Sequence, residues 1–158
     1  MILLDTNVIS EPLKPGGDNA VLDWLDAQAI ETLYLSTISL AELRFGIAAM
    51  PDGKRKKMLQ LKLEESILPF FAGRILPFDD AASQVYALIR SSARVRGLAI
   101  AATDGFIAAI AATHTFAVAT RDTAPFEAAG LQVINPWKSG SGSLVPVSST
   151  NRPISDFK

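Results

Sequence analysis

A three-layer α/β/α domain around a parallel sheet of about five short strands is the fold this sequence predicts. Three observations carry that expectation. Short apolar runs alternate with helical patterns along residues 1–137. Successive strand candidates are separated by helices, which calls for parallel pairing through right-handed crossovers. The chain has 158 residues, 49% of them hydrophobic, enough to cover both faces of one sheet.

The elements follow in order. Ile2–Leu4 is an apolar strand ending at Asp5. Residues 20–28, AVLDWLDAQ, place Val21, Leu22, Trp24 and Leu25 at the spacing of a short amphipathic helix. Leu33–Ser36 is the second strand. Ser39 and Glu42 fit a capping box, predicting a helix from Ser39 to about Met50. Pro51-Asp52-Gly53 breaks it, and a charged helix is expected from about Lys54 to Phe70. Ile75–Phe78 is a third strand, with Asp79 as N-cap of a helix that runs to about Arg96 and stops at Gly97. Thr103 is expected to cap an alanine-rich helix with Phe106, Ile107 and Ile110 on its apolar side. Phe116–Ala119 and Gln132–Ile134 complete the strands, closed by Pro136-Trp137. Trp24 and Trp137 read as packing residues, and His114 as a helix C-cap.

Composition excludes several classes. There is no cysteine and one histidine, so disulfides, thiolate sites and His-rich zinc sites drop out, and any metal is held by oxygen. A reducing cytoplasm is the expected compartment. No apolar run approaches the roughly 20 residues of a membrane span, and the opening MILLDTN does not read as a secretory signal. Residues 138–158, rich in Ser, Gly and Pro, read as a flexible tail. Lys138, Arg152 and Lys158 against Asp156 give that tail +2, so the formal charge of −1 leaves −3 on residues 1–137. That sign opposes nucleic-acid binding by bulk electrostatics, and such a role needs a local basic patch or a bound cation.

Four acids are placed to meet. Ligands of open α/β sheets collect beyond the carboxyl ends of the strands. Asp5 ends the first strand, Glu42 lies early in the helix after the second, Asp104 opens the alanine-rich helix, and Asp122 follows the fourth strand. Carboxylates so gathered repel one another, and a hard divalent cation such as Mg²⁺ or Mn²⁺ relieves the repulsion. The implied chemistry is attack of metal-activated water on a phosphodiester. Singly, each acid has a plainer explanation: Glu42 as a capping-box partner, Asp104 as a first-turn acid, Asp122 as a turn residue. Asp5 is the hardest to explain by structure alone.

The segments MILLDTNVISE, STISLAELRFGI and TDGFIAAIAATHTFAVATRDTAPFEAAGLQVINPW, in this order, resemble the PIN domain. The likeness spans roughly residues 1–137 and is nearest to VapC-type toxins of toxin–antitoxin pairs, including the FitB-like branch. It implies an Mg²⁺- or Mn²⁺-dependent endoribonuclease. Asp5, Glu42, Asp104 and Asp122 match the metal-binding acids, while Asn7 and Thr120 match polar positions that support them. Relatives often carry a further acid where this chain has Pro125, which predicts one tightly held ion and a second only when substrate supplies oxygens.

The resemblance also implies a VapB-like antitoxin, an RNA substrate and a homodimer able to join a larger toxin–antitoxin assembly. Apolar residues Phe45, Ile47, Leu59, Leu61, Phe70 and Phe71 lie on a segment longer than one core needs, and part of that surface is expected to form a two-fold dimer. Lys54, Arg55, Lys56, Lys57 and Arg121 are candidate RNA contacts, with Arg90, Arg94 and Arg96 as a second basic patch. Two rivals remain at this point. An aspartyl phosphatase also places an Asp after its first strand, but it needs a second acid where Asn7 stands. A catalytically weak PIN-like interaction module is the other.

Overall fold

The computed structural model describes residues 1–138; the predicted tail lies outside the described residues from residue 139 onward. Five strands form one sheet, β1 (Ile2–Leu4), β2 (Leu33–Ser36), β3 (Ile75–Leu76), β4 (Ala117–Ala119) and β5 (Val133–Ile134). Their order is β3-β2-β1-β4-β5 and every pairing is parallel. The chain builds outward from β1 through β2 to β3, then returns to the other side of β1 for β4 and β5. The order therefore reverses between β1 and β4. At such a switch point the crossovers diverge and leave a crevice beyond the strand ends.

Alternation along each strand splits the core into two layers. Leu4, Leu33, Leu35 and Ala119 point to one face, where they meet Val8, Ile9, Val21, Leu25, Leu40, Leu43 and Phe71. The elements on this side are α1 (Thr6–Ile9), α2 (Asn19–Asp26), α3 (Thr37–Ala48) and α4 (Lys54–Leu61). Leu3 and Val118 point the other way, toward Ala82, Ile107, Ala108, Ile110, Ala111 and Phe126. That layer holds α5 (Asp80–Val95), α6 (Ala102–Thr113) and α7 (Ala124–Ala128). Among the described residues no helix is long and apolar enough to cross a membrane.

Local signals explain most boundaries. Asp79 caps α5 by accepting from Ala82 N at 2.9 Å, and Gly97 ends it at φ +71°, a left-handed conformation that a Cβ disfavours. The charged segment forms α4, then a π-helical turn (Lys62–Ile67) and a 3₁₀ turn (Leu68–Phe71). Pro69 in the first turn of the latter cannot continue an α-helical ladder.

Several expectations need correction. The capping box does not form: α3 starts at Thr37, and Ser36 is its cap, accepting from Ser39 N at 2.9 Å. Thr103 does not cap α6, which begins at Ala102, with Ala101, two residues before Thr103, in the N-cap position and no side-chain cap. Two short helices, α1 and α7, were not foreseen, because segments of four and five residues are too short to show a helical period. Of the expected dimer surface, Phe71 is fully buried and Ile47 nearly so, and Leu59 and Phe70 are half-buried against the same core. Phe45 and Leu61 do stand exposed, as does Met58 on α4.

A candidate acidic centre at the switch point

Asp5 sits where the sheet changes direction. Its backbone N–H donates to Ala119 O at 3.0 Å, carrying the β1–β4 ladder one residue past the strands. The same residue is the N-cap of α1, and its Oδ1 accepts from Thr6 N at 2.7 Å. Oδ2 accepts from Asn7 Nδ2 at 2.6 Å and from Thr120 Oγ1 at 2.7 Å. Asp5 is only 6% exposed, so both oxygens are fixed in a nearly closed setting.

Thr120 follows β4 and is fully buried. Its hydroxyl donates to Asp5 and accepts from Asp122 N at 3.1 Å and Asn7 Nδ2 at 3.1 Å. Asn7 Oδ1 in turn accepts from Arg121 N at 3.1 Å. One hydroxyl and one amide thus tie the loop after β4 to the loop after β1. Glu42 approaches from α3, one turn into the helix, where its Oε2 accepts a short hydrogen bond from Thr6 Oγ1. Asp104 lies in the first turn of α6, half-buried, while Glu42 and Asp122 are exposed at the rim.

The acids feel one another's charge. Burial lifts the Asp5 carboxyl above its ordinary range, hydrogen bonds from Thr120 and Thr6 pull it back, and the charges of Asp104 and Glu42 raise it further. Asp104 is lifted by burial, then by Asp122 and Glu42. All four predicted acids therefore share one electrostatic neighbourhood, although they come from four separate stretches of chain. Among the described residues no group of three or more Asp, Glu, His or Cys side chains is drawn together tightly enough to hold a metal ion as it stands. A set made only of carboxylates, with the proton affinity of Asp5 and Asp104 raised, suits a hard divalent cation, whose charge replaces those protons. His114 takes no part: it is the C-cap of α6, about 15 Å along the helix from Asp104.

Raised carboxyls have a consequence for stability. The folded state binds protons at Asp104 more tightly than the unfolded chain, so acidification favours folding at this site and ionisation at neutral pH opposes it. Without added metal, Asp104→Asn is expected to melt roughly 1–3 °C above the parent at neutral pH. The gap should close as pH falls below about 4, the unfolded carboxyl value. Melting curves followed by circular dichroism across that range check both the sign and the window.

The basic candidates fall in different places. Lys54, Arg55, Lys56 and Lys57 open α4, which packs on α3 and on the π-helical turn that follows it, and Lys56 pairs with Asp52 at 2.9 Å. Arg121 lies beside the acids, its guanidinium 4.2 Å from the centre of the Trp137 ring and 3.5 Å from Glu11. Trp137 packs against the core while supporting that cation. Arg96 is committed elsewhere, donating to Ala128 O at the end of α7. Pro125 occupies the first turn of α7, where its missing N–H has no intrahelical partner to lose.

Two residues with roles here were not foreseen. Thr6 holds Glu42, and its only signal is its position inside the quoted LDTN segment. Glu11, 3% exposed, accepts from Lys14 Nζ at 2.6 Å and from Asp18 N at 2.9 Å, and faces Arg121. A Cβ on Gly17 would lie 2.3 Å from Glu11 O, so glycine there lets the loop close over this carboxylate. The lone acid in the apolar run VISEPL was the available clue.

Comparison with known proteins places the fold in a family. The PIN domain profile matches residues 2–131. Over 138 residues the chain is 61% identical to the VapC ribonuclease Y4jK of Sinorhizobium fredii, covering 87% of this chain and 99% of that protein. It is 57% identical over 137 residues to toxin FitB of Neisseria gonorrhoeae, covering 87% and 99%. The crystal structure of FitAcB from Neisseria gonorrhoeae superposes with a TM-score of 0.85 at 56% identity, covering 87% of this chain and 99% of that one. A more distant crystal structure, a member of the VapBC family of toxin–antitoxin systems from Mycobacterium tuberculosis, matches with a TM-score of 0.58 at 26% identity, over 84% and 94%. The chain belongs to the PIN-domain family, in its VapC- and FitB-like branch.

Proposed function

We propose that this chain is an endoribonuclease toxin that hydrolyses RNA phosphodiesters with Mg²⁺ or Mn²⁺ held by Asp5, Glu42, Asp104 and Asp122. The observation that carries this reading is the electrostatic coupling of those acids at the switch point, around an aspartate whose two oxygens are already oriented. The ribonuclease and toxin names of the relatives at 61% and 57% identity point the same way.

A bound divalent ion supplies a water of lowered pKa and neutralises charge that builds on the phosphoryl group. The protein's own groups do the positioning. Asp5 is set by Thr6 N, Asn7 and Thr120, and Glu42 is steered by the Thr6 hydroxyl. Thr120 joins the Asp5 loop to the backbone of Asp122, which ties the two sides of the crevice together. The carboxylates must lose their protons before they can ligate, and the raised values of Asp5 and Asp104 make that step pH-dependent. Cleavage is therefore expected to weaken on the acid side.

The partner we assign is an antitoxin polypeptide, consistent with the VapBC structural neighbour. Exposed Phe45, Met58 and Leu61 on α3 and α4 offer it an apolar footing and also support a homodimer. A monomer mass in light scattering at micromolar protein contradicts the dimer. For the activity itself, the purified chain is expected to cut single-stranded RNA with Mg²⁺ or Mn²⁺, to stop in EDTA and to resume when the ion is restored. Cleavage that persists unchanged in EDTA overturns the metal-dependent reading.

A further inference from the structure

A second charged feature borders the acids without belonging to them. Tyr86 and Arg90 lie four residues apart on α5 and so share a face. The Arg90 guanidinium sits 5.4 Å from the Tyr86 ring centre, and its Nη1 donates to the Tyr86 hydroxyl at 2.6 Å. The Tyr86 ring also stacks on Phe106 of α6, with centroids 4.6 Å apart. The helices approach this closely because residue 105 is glycine. A Cβ there would come within 2.8 Å of Tyr86 Cε2 and 3.2 Å of Arg90 Cδ. The arginine–tyrosine pair is thereby fixed against the turn of α6 that carries Asp104.

Beyond the pair opens a cleft of about 680 Å³, lined by Tyr86, Arg90 and Arg94 on one side and Leu98 to Ile100, the approach to α6, on the other. Among the described residues neither Arg90 nor Arg94 has a carboxylate partner, in contrast to Arg44, which pairs with Glu64, and Arg121, which faces Glu11. Two uncompensated guanidinium groups converge on one cleft in a chain of net charge −1. Arg90 is also held in place by an aromatic ring, so less rotamer freedom is lost when it takes a ligand.

We propose that this cleft is a backbone subsite for single-stranded RNA, in which Arg90 and Arg94 each hold a phosphate of the strand flanking the bond to be cut. Tyr86 and Gly105 are positioning residues, the first by orienting Arg90 and the second by admitting the ring. The subsite supplies the positive charge that the overall composition lacks. It rests on the ribonuclease reading and extends it to how the strand is held beside the acids.

The test measures binding rather than cleavage, so failure of the nuclease reading and failure of the subsite remain separable. A fluorescein-labelled oligouridylate is titrated with the intact chain by fluorescence polarisation in EDTA, from about 50 to 200 mM salt. Each phosphate contact on a single strand contributes about −0.7 to the slope of log K against log salt. The double variant Arg90→Ala/Arg94→Ala is expected to flatten that slope by about 1.4 and to bind at least about fivefold more weakly at the low-salt end. Arg90→Lys/Arg94→Lys should recover most of the slope, because the charge returns at the same place; this separates charge from a folding defect. An unchanged slope in the alanine variant overturns the proposal. So does loss of binding that the lysine variant fails to restore, or absence of salt-dependent binding by the parent chain.

Discussion

Asp5→Asn is expected to lower RNA cleavage by more than about a hundredfold, beyond the 10- to 100-fold that follows loss of a residue merely supporting a metal ligand. Asp5 is the most enclosed of the four acids, and its oxygens are claimed by the Thr6 N–H on one side and by Asn7 and Thr120 on the other. An amide in its place sets an NH₂ group against a donor whichever way it turns: Thr6 N if it points one way, Asn7 Nδ2 if it points the other. The substitution also removes a negative charge from the set that is to hold the cation. Both effects act on the same atom positions, and neither requires a change of fold. Initial rates with Mg²⁺ in excess, beside a circular dichroism spectrum matching the parent, provide the check. A variant that cuts RNA at the parent's rate removes Asp5 from the chemistry.

The second large effect is expected at a residue with no charge. Thr120→Val keeps the shape of a fully buried side chain and deletes one hydroxyl. That hydroxyl donates to Asp5 Oδ2 and accepts from Asp122 N and Asn7 Nδ2, so its loss removes three hydrogen bonds and leaves Asp5 Oδ2 and Asn7 Nδ2 only each other. Removing hydrogen bonds to a buried charged group costs about 1–3 kcal/mol, and urea denaturation should read a loss of that size. Cleavage should fall roughly 10- to 100-fold, as for other groups that orient ligands. The Asp5 carboxyl also loses a hydrogen bond that holds its proton affinity down, so the acid limb of the pH profile should move to higher pH. Thr120→Ser, which retains the hydroxyl, should recover most of both properties. Equal activity in Thr120→Val and the parent would remove the hydroxyl from any positioning role.

The sheet was legible because buried parallel strands write themselves as short apolar runs between helices, and each of the five expected strands is present within a residue or two of its ends. The acids were legible for a topological reason: strand ends and helix starts at one edge of an open sheet converge, so Asp5, Glu42, Asp104 and Asp122 come into one electrostatic neighbourhood. What the residues hid was the wiring. Ser39 and Glu42 have the spacing of a capping box, yet Ser36 takes the capping role, which frees Glu42 for Thr6. That outcome depends on α3 beginning directly at the end of β2, two residues before the pattern indicates. Glu11 left only the trace of a lone acid in an apolar run, because the Asp18 N–H and the Lys14 ammonium that hold it follow no periodicity. Arg96 looked equivalent to Arg90 and Arg94, and only the placement of α7 shows that it is spent on a carbonyl.

Calorimetric titration of Mn²⁺ into the parent chain and into Asp5→Asn puts the acidic centre to its most direct trial. One ion per parent chain should bind in saturable fashion, releasing protons in proportion to the raised carboxyls, and Asp5→Asn should bind at least about tenfold more weakly. No saturable uptake by the parent, or equal uptake by the two proteins, would contradict a cation site built on Asp5.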